Sequence, residues 1–150
     1  MLRSHSPKER SMVLKYVIGY IATGIAFALI DSVWLRSMHS RLYQPEIGEL
    51  LYNGGFRLGP AIAFYLLYIL GMLVFAVGPA LQSGKWSTAL QWGALFGFFC
   101  YMTYDLTNYA TLKMWSLKVT ILDIIWGTFL TGSASLAGWW LTNLITGKSA

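Results

Sequence analysis

Four long stretches of the chain carry almost no charge: residues 13–35, 58–81, 86–110 and 117–145. Each matches the roughly 20 mostly apolar residues a helix needs to cross the hydrocarbon core of a bilayer. Apolar residues run through them continuously instead of alternating with polar ones. That selects helices over barrel strands, because a helix satisfies every backbone N–H and C=O within its own segment. The pattern predicts an all-α integral membrane protein, a four-helix bundle forming a single domain over residues 1–150. The connections at 78–86 and 111–116 are short, which makes the helices they join antiparallel neighbours. The one long connection, 36–56, contains Pro45 followed by Glu46, Ile47, Glu49, Leu50, Leu51 and Tyr52 before Asn53-Gly54-Gly55. This predicts a short amphipathic helix in the first loop. It is either a lid over the outer face or a connector resting on the bilayer.

Composition agrees, with 56% hydrophobic and 11% charged residues, far from the soluble average. The net charge of +5 does not indicate nucleic acid here, because the basic residues flank the spans. Arg3, Lys8, Arg10 and Lys15 flank the start of the first helix, and an inside N-terminus adds Lys85 and Lys148 to the same side. Arg36, Arg41, Arg57, Lys113 and Lys118 fall on the other. The flank of the first helix decides the orientation, so both termini are expected in the cytoplasm. The basic front of the chain is like that of a signal peptide, but the run behind it is a full span without a small-residue cleavage site. Cys100 is the only cysteine and His5 and His39 the only histidines. No intrachain disulfide and no ordinary zinc or haem site is expected, and neither a metal nor another cofactor is assigned.

Three of the six acidic residues, Asp31, Asp105 and Asp123, lie inside predicted spans. A charge at the bilayer centre costs about 2.5–3.5 kcal/mol on insertion scales, so such residues usually face protein or water. Helix alternation puts all three, with Arg57 at the start of the second span, in the same half of the bundle. Helical spacing adds Tyr101 and Asn108 beside Asp105, Trp126 and Thr120 beside Asp123, and Trp34 beside Asp31. Turned inward, these faces make a pocket. In it Asp105 and Asp123 are the candidate acid–base pair, and Asp31, Arg57, Tyr101, Asn108 and Trp126 are candidate ligand contacts. Arg57 is expected to pair with Asp31 or Asp105 and to meet an anionic head group. The competing account is structural: polar residues near helix ends are solvated at the interface or hold helices in register. Tyr65 is a weaker candidate for the same cavity. The Gly93–Gly97 GxxxG is expected to serve internal packing or, alternatively, a homodimer.

The segments YDLTNYATLKMWSLKVTILDIIWG (104–127), DSVWL (31–35) and GGFRLGP (54–60) resemble the bacterial membrane proteins grouped as domain of unknown function 2177. The resemblance extends over roughly residues 13–144. It implies a membrane location and this helical fold, and it supplies no reaction and no catalytic residue. The resulting expectation is a small bacterial inner-membrane protein, with membrane lipids as its surroundings, that binds an amphipathic, lipid-like small molecule and acts on it by acid–base chemistry. The alternatives are a dimeric proton- or cation-coupled transporter and a non-catalytic subunit or chaperone.

Overall fold

The computed structural model describes residues 7–147, with side chains from Ser11 onward. Arg3, His5 and Lys148, and the side chains of Lys8 and Arg10, lie outside the described residues. The described chain is helical, in the order α1 (Pro7–Met38), α2 (Gln44–Ile47), α3 (Leu58–Met72), α4 (Gly78–Ser83), α5 (Trp86–Thr111) and α6 (Leu117–Thr146). The four expected spans correspond to α1, the α3–α4 pair, α5 and α6. By length and composition three helical stretches are apolar enough to cross a membrane: Ser11–Leu50, Leu58–Ser83 and Leu117–Thr146. The fourth, α5, has 26 residues but is more polar, carrying Thr103, Asp105, Thr107 and Asn108 in its second half.

Two prolines explain how the long helices run on. A proline inside a helix lacks the N–H, and its ring collides with the carbonyl four residues back. Before both Pro45 and Pro79 the helix widens into a π turn, at His39–Tyr43 and Leu73–Val77. In these turns the N–H of Gln44 reaches the His39 carbonyl, and that of Gly78 the Leu73 carbonyl. The extra residue carries the chain past each ring without ending the helix. As a result the amphipathic segment does form, but as a continuation of α1 through the π turn, α2 and a 3-10 turn at Gly48–Leu50. It is not a separate helix beyond a loop. It docks through Leu42 and Ile47, which share a cluster with Val119, Trp34, Met38 and Leu122. Gly84, at φ +70°, closes α4 in the left-handed region, and Ser116 caps α6 by accepting a hydrogen bond from the Val119 N–H.

The burial pattern is the reverse of a soluble bundle. Leu29, Val33, Leu67, Ile125 and Phe129 are all at least 60% exposed, whereas Thr23, Asp105, Thr131, Ser135 and Thr142 are fully buried. An apolar exterior around a partly polar interior fits a lipid-facing surface. The tightest packing is between antiparallel α5 and α6. A Cβ added at Gly93 would meet Ser135, one at Gly97 would meet Thr131 and the Gly127 carbonyl, and one at Gly127 would enter the Tyr101 ring. The contacts step four residues down α5 for every four up α6, so the i, i+4 rows of the two helices meet. One further step of the same register sets Asp105 opposite Asp123. The Gly93–Gly97 face is therefore filled by α6 of the same chain, the packing alternative of the two expected for it.

α1 joins the other side of α6, where Thr23 packs against Gly138. Phe27, Tyr68, Met72, Leu130 and Ala134 close the centre.

Candidate functional site

Asp31, Asp105 and Asp123 come from α1, α5 and α6, and all three are buried, at 6%, 0% and 9% exposure. Their surroundings differ. Asp31 accepts a hydrogen bond from the Tyr65 hydroxyl at 2.7 Å and a longer one from the Trp126 indole N–H at 3.4 Å. Asp123 accepts from the Tyr43 hydroxyl at 2.7 Å, and that hydroxyl in turn accepts from the Trp34 indole N–H at 2.8 Å. Trp34 and Trp126 stack with centroids 4.3 Å apart and planes within 7°. Two aspartates on different helices are thus joined by one continuous chain of aromatic groups. Asp105 stands apart from it, since neither of its carboxyl oxygens has a hydrogen-bond partner. The other orphaned buried side-chain atoms among the described residues are the hydroxyls of Thr23 and Ser135.

The remaining sequence-predicted residues are placed less uniformly. Trp126 joins the cluster as described. Tyr101 is half-buried, its ring filling the notch at Gly127 and meeting Tyr68 edge-on at 6.4 Å. Asn108 interacts with Tyr104 on its own helix, one turn back, and not with an aspartate. Arg57 departs from expectation altogether. It sits in extended backbone just before α3, is exposed, and lies over the Tyr52 ring at 4.9 Å. It forms no ion pair with an aspartate; its guanidinium lies on the Tyr52 ring of the preceding connection instead. Lys118 pairs with Glu46, at 3.1 Å.

Tyr43 and the stacked indoles lie against the cluster, and two surface grooves are lined by other residues. One of about 560 Å³ is lined by Trp86, Ser133 and Trp139 at the opposite end of α6. Another of about 380 Å³ borders the α2 segment and Met114.

Residues 16–140 match the family described as "Predicted membrane protein (DUF2177)". The chain belongs to this family. No curated protein and no solved structure matches it. The DUF2177 match spans Asp31, Tyr43, Tyr65, Asp105, Asp123 and Trp126, so the cluster lies wholly within the family's extent.

In this DUF2177 protein the α2 segment is tied down at its far end as well. The Ser116 hydroxyl donates to Glu46 at 2.6 Å and Lys118 donates to the other oxygen. Tyr43, which sequence reasoning missed, is the inner tie. It lies beyond the expected end of the first span, and only the π turn ahead of Pro45 brings it over Asp123. Removing its hydroxyl with Tyr43→Phe takes away one hydrogen bond to Asp123 and one from Trp34. The expected loss is about 1–3 kcal/mol of stability, measured by denaturant unfolding in mild detergent, with increased hydrogen exchange over residues 39–50.

Proposed function

We propose that this protein crosses the bacterial cytoplasmic membrane four times, with both termini on the cytoplasmic side. In this reading it binds an amphipathic, lipid-like molecule at the Asp31–Asp105–Asp123 end of the bundle and acts on it by acid–base chemistry. The fourth crossing is α5, whose Asp105 is buried and whose exposed Thr103, Thr107 and Thr111 return their hydroxyls to backbone carbonyls one turn back. Asp105 is the acid and Asp123 the base. Two carboxyls facing each other away from water hold a proton between them more readily than two charges. Asp31, fixed by Tyr65 and Trp126, orients the bound molecule, and Tyr101 forms the wall between the pair and the core.

One observation carries the reading: Asp105 is fully buried with both oxygens unpartnered. A buried acceptor left without a donor costs about 1–3 kcal/mol. A purely structural carboxyl would be expected to have found one, as Asp31 and Asp123 have. The ligand's own donor supplies the missing partner. Entry requires the Tyr43 hydroxyl to leave Asp123, which makes the 39–50 segment the cover of the site.

Native mass spectrometry of protein extracted from its own membranes tests this. The wild type is expected to retain a molecule of defined mass, with occupancy falling at least tenfold in Asp123→Asn. Equal occupancy in a folded variant would remove the assignment.

A further inference from the structure

Five of the six acidic residues, Asp31, Glu46, Glu49, Asp105 and Asp123, gather at one end of a chain whose net charge is +5. The basic side chains at that end do not enter the cluster. Arg36, Arg41, Arg57, Lys113 and Lys118 are all exposed, Arg57 lies on Tyr52, and Lys118 is taken by Glu46. Asp31 and Asp123 are bonded to aromatic groups, and Asp105 lies across the α5–α6 register from Asp123. Carboxylate oxygens are acceptors only, and Asp105 presents two of them with nothing donating. Indole faces attract cations more strongly than any other side-chain ring, and here two indoles, Trp34 and Trp126, lie beside Asp31 and Asp123 through direct or Tyr43-relayed hydrogen bonds.

We propose that the head group taken by this site is cationic, an alkylammonium on an apolar tail. This rests on the ligand-binding reading above and reverses the anionic head group that Arg57 suggested from the sequence. The ammonium donates N–H bonds to Asp105 and Asp123 and lies against the Trp34–Trp126 pair. Its tail leaves toward lipid past exposed Val33 on α1 and Ile125 on α6, each within two residues of the cluster. An anionic head group would meet three carboxyls and no cation.

The test is a tryptophan-fluorescence titration of the full chain in lipid nanodiscs with three probes of equal tail length: dodecylammonium, dodecanol and dodecyl phosphate. Dodecylammonium is expected to give a saturable change, with at least tenfold higher affinity than either other probe. Asp105→Asn is expected to weaken it at least tenfold, and Trp34→Phe several-fold. The ranking of the probes on the wild type does not depend on any variant folding. If dodecanol or dodecyl phosphate gives the tightest saturable and Asp105-dependent change, the cationic class is wrong and the amphiphile site stands. If no probe gives a saturable change on the wild type, the inference and the reading beneath it both fall.

Discussion

Gly127→Val is expected to unfold the α5–α6 pair under conditions in which the wild type is fully folded. The glycine faces the Tyr101 ring so closely that even a methyl group occupies the space of ring carbons. Tyr101 has nowhere to retreat to, because Tyr68 stands edge-on behind it, and Tyr68 itself packs on Phe27 and Phe96 and is bonded to Thr131. Overpacking of a tight core by a methyl or two costs about 1–3 kcal/mol and occasionally more, a large share of an ordinary net stability of about 5–15 kcal/mol. Gly127→Ala should therefore lower the unfolding midpoint clearly and Gly127→Val should leave little folded protein. Gly59→Ala is the matched control: that glycine begins α3 with open space around it, and the substitution should be neutral within about 0.5 kcal/mol. Tryptophan fluorescence during denaturant titration in mild detergent reads all three. A Gly127→Ala protein as stable as the wild type would mean that α5 and α6 do not meet in this register, and the facing of Asp105 and Asp123 would go with it.

That register is the part of the fold the sequence holds without displaying. The long helices were legible because continuous apolar runs have few other uses, and the shared depth of Asp31, Asp105 and Asp123 followed from helix alternation alone. The rungs were half-visible. Gly93, Gly97, Tyr101 and Asp105 are four residues apart in succession, as are Asp123, Gly127, Thr131 and Ser135, but nothing in either row states which member meets which. Only the close approach at each glycine settles the pairing. Arg57 was misplaced because its depth was inferred from the start of a helix, while its guanidinium lies on the Tyr52 ring of the preceding connection. Tyr43 was hidden for a different reason. Proline normally argues for a helix end, and a π turn that carries the chain past it is not readable from residue types. The same segment, read from the sequence as either a lid or a connector, packs Leu42 against Val119 and sets the Tyr43 hydroxyl on Asp123.

The sharpest separation of a functional carboxyl from a structural one comes from replacing Asp105 and Asp123, in turn, by leucine, which keeps the branching at Cγ and removes the acceptors. For Asp105 the change discards an orphaned group, so stability should rise by about 1–3 kcal/mol, less whatever the slightly larger side chain costs in packing. For Asp123 it strands the Tyr43 hydroxyl, which then has no acceptor beneath the α2 segment, and stability should fall by about 1–3 kcal/mol. Opposite signs at facing positions on the same rung are not expected of a pair that merely holds two helices together, since either loss would then weaken the bundle. Both leucine variants should lose the bound amphiphile in native mass spectrometry. Asp105→Leu would thus be the more stable and the less occupied protein. The unfolding midpoints decide between the accounts: if Asp105→Leu destabilises as much as Asp123→Leu, the Asp105 carboxyl is bonded to its neighbour across the rung and its place in the interior is structural. If it stabilises, the wild-type chain keeps a buried acid at a cost to its own folding, and an acid kept on those terms is one the bound molecule needs.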